Sequence, residues 1–316
     1  MFWLMRRLLV SVLLLWMVVT IVFFAIYLVP GDPAELLLSG GDGGSASAEA
    51  VAALRARLGL DLPLWQQYLN KMGALLRLDL GTSLSTNQPV LAEIATRLPR
   101  TLELIAAAAV ISLAIGVPAG AFAALRRGGA FDRVASFLTG FAQSVPVFVL
   151  GTLFVLVFAQ TLRLVPAGGY VAFADDPLRH VILMLMPATS IAIGLSATVF
   201  RISRASVLEV IPQDYVRTAR AKGLAPSRIT TRHILRNALM PVVTVFALSL
   251  GALLSGTVLI EFVFNWPGLS GLLVRAVYAR DYPMVTGILS VTAALFILIN
   301  LCVDILYTIL DPRVRK

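Results

Sequence analysis

Few residues of this chain are placed to do chemistry. Ser270 stands in Gly-Leu-Ser-Gly, Gly268–Gly271, a setting for a nucleophilic serine. Such a serine needs a histidine base beside it. The chain has two histidines, His180 and His233. Both precede Ser270 and fall at or beyond the ends of apolar runs. The one cysteine, Cys302, lies inside an apolar run, so no disulfide can form within the chain. With no Cys/His cluster, no metal site is expected. No Gly-x-x-x-x-Gly-Lys-Ser/Thr loop for nucleotide phosphates occurs. What stands out is "DYVRTARAKGLAPSRITTRHILRNALMP", Asp214–Pro241, a polar, Arg-rich stretch in a chain that is 59% hydrophobic.

The spacing within that stretch predicts a short capped helix. Asp214 suits the N-cap, and Gly223 suits the stop because glycine tolerates positive φ past the last turn. Tyr215, Ala219 and Gly223 recur at i, i+4 and i+8, which puts them on one face. That face has an aromatic anchor followed by small residues, so another surface can come close to it. Arg217, Arg220 and Lys222 point elsewhere and can reach acids on a partner. A helix this short is not stable alone in water and must dock. Pro226 then suits the start of a second helix, with Ile229, Ile234, Leu235 and Ala238 as its apolar stripe. A plain basic loop that enforces topology and touches anionic lipid needs only a few Lys or Arg. It does not need a cap, a glycine stop and a proline restart, so docking is the favoured reading.

The elements that position this stretch belong to a membrane protein. Only 14% of residues are charged and the mean hydropathy is +0.88, whereas soluble domains are about a quarter charged. A bilayer-crossing helix needs about 20 apolar residues. Six runs qualify: Leu8–Val29, Ile105–Leu125, Val134–Gln160 (interrupted by Pro146), Val181–Phe200, Pro241–Ile260 and Met284–Leu310. The first run is too long for a signal peptide and lacks a small-residue cleavage site, so it is read as retained.

Lys and Arg set the orientation. With the N-terminus inside, the inner segments collect Arg6 and Arg7, then Arg126, Arg127 and Arg133. They also collect the basic residues from Arg201 to Arg236, and finally Arg313, Arg315 and Lys316. Both termini are therefore expected in the cytoplasm, and topology accounts for the net charge of +9 without nucleic acid. The expected organisation is a tail and first span at 1–29, an extracytoplasmic cap segment at 30–100, and a core of five spans at 101–316. The inner loop at 201–239 lies within that core. In the cap, "SGGDGGSASA" reads as a flexible loop, "SAEAVAALRARLG" as a helix and "LPLWQQYLNKMGALLRLDLG" as an amphipathic segment. The two halves of the chain do not echo each other, against an inverted-repeat carrier.

Several residues within the spans carry two readings. Asp304 is either a proton relay or a carboxylate that snorkels toward, or pairs with, Arg313 or Arg315. Glu103 reads as interfacial. Pro118, Pro146, Pro187 and Pro241 are hinges or packing kinks. Ser190, Ser196, Ser249 and Ser255 line a substrate path or serve as small packing residues.

The Asp214–Pro241 stretch resembles the "EAA" loop of ABC-importer permeases, with Arg217, Thr218 and Ala219 in the Glu-Ala-Ala places and Gly223 in the glycine place. Ala219 and Gly223 match that pattern, and Arg217 departs from it. The stretch is more similar to the peptide/nickel branch of the family. "LVPGDPA" (Leu28–Ala34), "LGLDLPLWQQYL", "DLGTSL", "SVPVF", "FVFNWPGLSGLL", "RDYP" and "DILYTILDPRVR" resemble the B-type subunit of dipeptide and oligopeptide importers, so the likeness covers nearly the whole chain.

The resemblance implies an all-α, six-span permease of the type I ABC-importer fold in a bacterial inner membrane. It implies a homologous second permease as heterodimer partner, two ATP-binding subunits that hold ATP and Mg²⁺, and an extracytoplasmic binding protein. This chain itself would hold no cofactor and catalyse no reaction. The helix of Asp214, Tyr215, Arg217, Ala219, Arg220, Lys222 and Gly223 would be the coupling helix, docked on an ATPase and dragged when ATP closes the pair. The implied cargo is a di- or oligopeptide, with nickel, metal chelates or other small solutes as the alternative. From other classes, a self-sufficient channel or proton-coupled carrier would need a buried charge relay. An intramembrane serine protease would need Ser270, and Ser270→Ala would then abolish proteolysis.

Overall fold

The computed structural model describes residues 2–27, 34–35 and 47–310. The Leu28–Ala34 motif, except Ala34, and the tail beyond 310 lie outside the described residues. So do the side chains of Ser255 and Asp304. The described residues are helical with no strand, apart from one isolated bridge between Thr82 and Pro89. Among the described residues, five helices are long and apolar enough to cross a membrane, and six if one bent pair counts as a single span. The chain divides into two compact units. One holds residues 1–99 and 268–297, the other residues 100–267 and 298–316.

In the first unit, α1 (Phe2–Tyr27) carries Arg6 and Arg7 in its first turns and no charge from Leu8 onward, as a span requires. Helix α2 (Ala48–Leu58) forms in the stretch read as a helix, and it is capped at both ends: the Ser47 hydroxyl accepts from the Ala50 N–H, and Gly59 closes it at φ 66°. Helix α3 (Leu64–Leu76) follows the Pro63 N-cap. Two of the motifs named above meet around Asp281. Its buried carboxylate accepts from the Ser83 and Ser85 hydroxyls and from the Met284 N–H. One acid thus caps α13 (Tyr282–Leu310) and pins the 82–89 turn to it. Leu80, Val90, Ile94, Leu269, Leu272, Met284 and Ile288 form the apolar core of this unit.

The second unit begins within α4 (Val90–Leu125) and contains α7 (Pro177–Val210). Both helices extend well beyond the expected runs Ile105–Leu125 and Val181–Phe200, because helix continues past the apolar stretch into polar sequence. Where α4 crosses α7, Gly116 and Gly120 lie against its backbone. A Cβ on Gly116 would fall 2.8 Å from the Val199 side chain, and one on Gly120 would fall 2.5 Å from the Phe200 carbonyl oxygen. Small residues four apart allow such an approach, which a larger side chain would prevent.

The third expected span, read as interrupted by Pro146, is broken there. Helix α5 (Ala130–Ser144) and the helical stretch Val147–Thr161 meet at 99°. Val145 is extended at φ −90°, ψ 124°, the conformation that a following proline imposes. After the break come α6 (Val147–Phe154) and a π-helical turn, Val155–Thr161. By contrast, Pro187 and Pro241 stay inside continuous helices, α7 and α10 (Arg236–Gly256). The expected fifth run ends early: α10 stops at Gly256 and α11 (Val258–Val263) follows. The turn after α11 is strapped to the 162–176 segment. The Gly169 N–H donates to the Phe264 oxygen at 2.9 Å, and a Cβ on Gly168 would overlap that carbonyl. Trp266 Nε1 donates to the Arg100 oxygen at 3.0 Å.

Gly120→Val is expected to force the α4–α7 crossing apart and lower stability by about 1–3 kcal/mol, the usual range for overpacking. Gly194 faces open space, and Gly194→Ala should be neutral or slightly stabilising. Thermal unfolding of both variants in detergent checks this.

Candidate functional site

The polar stretch forms a helix, α8 (Asp214–Ala221), one residue off from its expected start. Gln213 is the N-cap, at φ −64° and ψ 145° with no side-chain cap bond, and Asp214 opens the first turn. Ile211 and Pro212 form a turn closed by the Gln213 N–H on the Val210 carbonyl, and Gln213 is the extended residue after which the helix starts. Asp214 does not cap. Its carboxylate lies 3.2 Å from Arg217 Nη2, an i,i+3 pair with both groups exposed, worth a few tenths of a kcal/mol at most. The far end behaves as its glycine predicts. Gly223 is left-handed at φ 71°, and its N–H and that of Leu224 donate to the Arg220 and Ala219 carbonyls, the closure that favours glycine.

The faces of α8 differ from expectation. Ala219 is not on an open face with Tyr215: it is 5% exposed, and Val216 is fully buried. These two residues, three apart, pack into a cluster with Val207, Ile229, Ile234 and Ala238, and with Ala121 and Ala124 of α4. The docking that a short helix requires is thus made first within this chain. Val216 carries the apolar signal that fixes the inward face. What remains outward is a ridge of Asp214, Tyr215, Arg217, Thr218, Ala221, Lys222 and Gly223, with Arg220 also exposed. Tyr215 is held in place by Asn237, whose Nδ2 donates to its hydroxyl at 3.2 Å and to the His233 carbonyl at 2.8 Å.

Two spans hold this platform. Residues 211–213 join it to α7 on one side. On the other, α9 (Pro226–Arg228) and a π-helical turn, Ile229–Leu235, lead into α10. The apolar stripe expected after Pro226 packs inward: Ile229, Ile234 and Ala238 are buried. The same end of α7 is locked to α5 by an ion pair. Arg204 Nε and Nη2 donate to the two Asp132 oxygens at 2.6 and 2.8 Å. The Gly128 N–H donates to the same carboxylate at 2.9 Å. Asp132 is 3% exposed. A bidentate arginine fork fixes direction as well as distance, so the α4–α5 turn, α5 and α7 are pinned together next to the platform. Sequence reading missed this pair: its partners lie 72 residues apart and no local pattern links them.

The other candidates fall elsewhere. Ser190 is fully buried and its hydroxyl donates to the Met186 carbonyl of its own helix. Ser249 bonds back to Val245 in the same way. The backbone carbonyl of Ser196 faces Gly116 at the α4–α7 crossing. Ser270 is buried in the first turn of α12 (Leu269–Tyr278). Glu103 lies 2.9 Å from Nε2 of the buried His180, whose Nδ1 sits 2.7 Å from the Val171 carbonyl.

The family model described as binding-protein-dependent transport system inner membrane component matches residues 116–316. The N-terminal model of such membrane components matches residues 1–105. This chain belongs to that family. The dipeptide transport system permease protein DppB of Escherichia coli strain K12 is 39% identical over 321 residues, 94% of this chain and 94% of that protein. The di/tripeptide transport system permease protein DppB of Pseudomonas aeruginosa is 40% identical with the same coverage. A probable peptide ABC transporter permease protein, y4tP of Sinorhizobium fredii, is 37% identical over 99% of both chains. Among solved structures, an inward-facing form of the MetNI methionine ABC transporter shares the fold. Its TM-score is 0.58 at 18% identity, over 69% of this chain and 96% of that one. The chain is therefore an ABC-transport permease, and its α8 presents an exposed polar ridge on a buried apolar base.

Removing Arg204 takes away the two charge-assisted bonds that Asp132 accepts from it and leaves the one from Gly128, a loss of about 1–3 kcal/mol. Arg204→Ala should lower the melting temperature of the purified permease clearly, and Asp132→Asn should lower it less. The double variant Asp132→Leu/Arg204→Met should recover part of the loss.

Proposed function

We propose that this permease is one of two membrane subunits of a bacterial inner-membrane importer that passes di- or oligopeptides from an extracytoplasmic binding protein. Six spans with both termini in the cytoplasm follow from the charge distribution, with α5 and the Val147–Thr161 stretch counted as one bent span. Separate ATP-binding subunits supply the energy, since the chain has no phosphate loop of its own. What supports the peptide cargo is the identity to dipeptide and di/tripeptide permeases over 94% of the chain.

The α8 ridge is the surface that receives the motion of the ATPases. Tyr215 is its aromatic anchor. Arg217, Arg220 and Lys222 meet acids on the partner, and Asp214 keeps Arg217 oriented. Gly223 leaves room at the helix end. Ala219 acts from beneath, holding the helix on its base. ATP and Mg²⁺ stay in the partner subunits. A push on α8 passes into α7 and α10, to which it is joined by three residues on one side and by the 222–225 turn, α9 and a π-helical turn on the other. ATP and the binding protein can shift the permease between inward and outward states only by fitting the two states unequally. A rigid platform at the end of two spans is what converts closure of the ATPases into such a difference.

Purification from native membranes in mild detergent, with mass spectrometry of the accompanying chains, tests the assembly. Two ATPases and a second permease are expected. A chain that purifies alone and moves solute without ATP would overturn the reading. Uptake of nickel or a metal chelate in place of peptide would change the cargo and leave the mechanism standing. At residue level, Gly223→Asp should assemble but lose most peptide uptake while ATP hydrolysis persists. The left-handed φ of 71° strains any side chain there, and the carboxylate obstructs docking. Gly223→Ala, with the strain alone, should retain much more uptake. Equal uptake by Gly223→Asp and the natural chain would place the docking face elsewhere.

A further inference from the structure

Helix α3 (Leu64–Leu76) carries an apolar face that the fold leaves open. Trp65, Leu69 and Leu76 are 65%, 57% and 88% exposed, and at 100° per residue they share one side of the helix. The flank beside that side is packed: Leu75 lies against the core of the first unit, and Tyr68 lies against α1. The Tyr68 hydroxyl is 2.8 Å from the Thr20 hydroxyl, and its ring stacks on Phe24 and meets Phe23 edge-on. The other flank is polar, with Gln66 and Asn70. Lys71, the one charged residue of α3, points away from the open face, its Nζ 3.4 Å from the Leu80 carbonyl. Beyond the helix, Leu78 is 73% exposed in the left-handed region at φ 59°, where glycine is the usual residue.

The contact with α1 fixes what covers this face. Thr20, Phe23 and Phe24 lie in the last two turns of the span Met5–Ala25. Tyr68 thus holds α3 at the level where that span leaves the hydrocarbon. The surface of α1 itself is open and apolar there, with Ile21 63% and Phe24 46% exposed. Open apolar side chains thus stand on both helices beside their shared Tyr68 contact. Tryptophan and tyrosine at that depth, leucines on one side and amides on the other are the composition of a helix lying in the membrane boundary.

We infer that α3 lies in the lipid headgroup–acyl boundary at the Ala25 end of α1, with Trp65, Leu69, Leu76 and Leu78 inserted into lipid. The permease is thereby anchored by a surface helix in addition to its spans. The left-handed Leu78 fits this arrangement: a glycine would relax the backbone but give up an inserted side chain.

Spin labels test the placement. In a Cys302→Ser background, Leu69→Cys, Leu76→Cys and Asn70→Cys are labelled in the permease purified with its accompanying subunits and set in lipid nanodiscs. Labels at 69 and 76 should collide with oxygen several-fold more often than with a water-soluble nickel chelate, and the label at 70 should show the reverse. Higher nickel access at 69 and 76 would place the face in water and overturn the inference. Exclusion of both probes there would assign the face to a protein partner and overturn it equally. Unlabelled permease gives a second reading. Acyl-chain-brominated lipid should quench the emission that is lost in Trp65→Phe, and an unquenched Trp65 signal would also contradict insertion.

Discussion

Helix α8 has eight residues, too few to hold together in water, and its outward face is almost wholly polar. It persists because Val216 and Ala219 are withdrawn from solvent into a cluster built from α4, α7, the π-helical turn and the start of α10. Everything proposed for the site depends on that burial. It orients the ridge of Tyr215, Arg217 and Lys222 outward, and it makes the ridge move with the spans that supply the cluster. An exposed loop of the same sequence would have its charges but could transmit no displacement.

The neighbouring contacts have the same character. Gly116 and Gly120 bring α4 into backbone contact with α7, and the Asp132–Arg204 fork ties α5 to the same stretch of α7. Close-packed interfaces change arrangement in discrete steps and do not stretch. A set of helices joined in this way can therefore carry a movement at one end to the middle of the membrane. The softer points are equally local: the break at Val145–Pro146 and the two π-helical turns interrupt the regular ladder where the chain changes direction or joins the platform.

Much of this was legible in the sequence where a residue type has one strong local reason. Gly223 announced a left-handed stop because other residues are strained there. The apolar runs located the spans because lipid demands them, although helix continued beyond several of the runs. Misreadings came where two local signals competed. Asp214 is a good capping residue, but the turn at Ile211–Pro212 leaves Gln213 as the extended residue, so the cap fell one residue earlier. Ala219 was placed on the outer face with Tyr215 because the spacing allowed it. Val216, three residues before Ala219, draws that side inward. The Asp132–Arg204 pair and the Gly116–Gly120 crossing were not legible, since each depends on a partner far away in the chain.

The central claim is that the α8 ridge touches a separate ATP-binding subunit. A photo-crosslinking residue in place of Tyr215, activated in native membranes, tests it most directly. Mass spectrometry should find the adduct on an ATPase subunit, with its yield changing when ATP is bound. Adducts confined to lipid, or to this chain alone, would contradict the account.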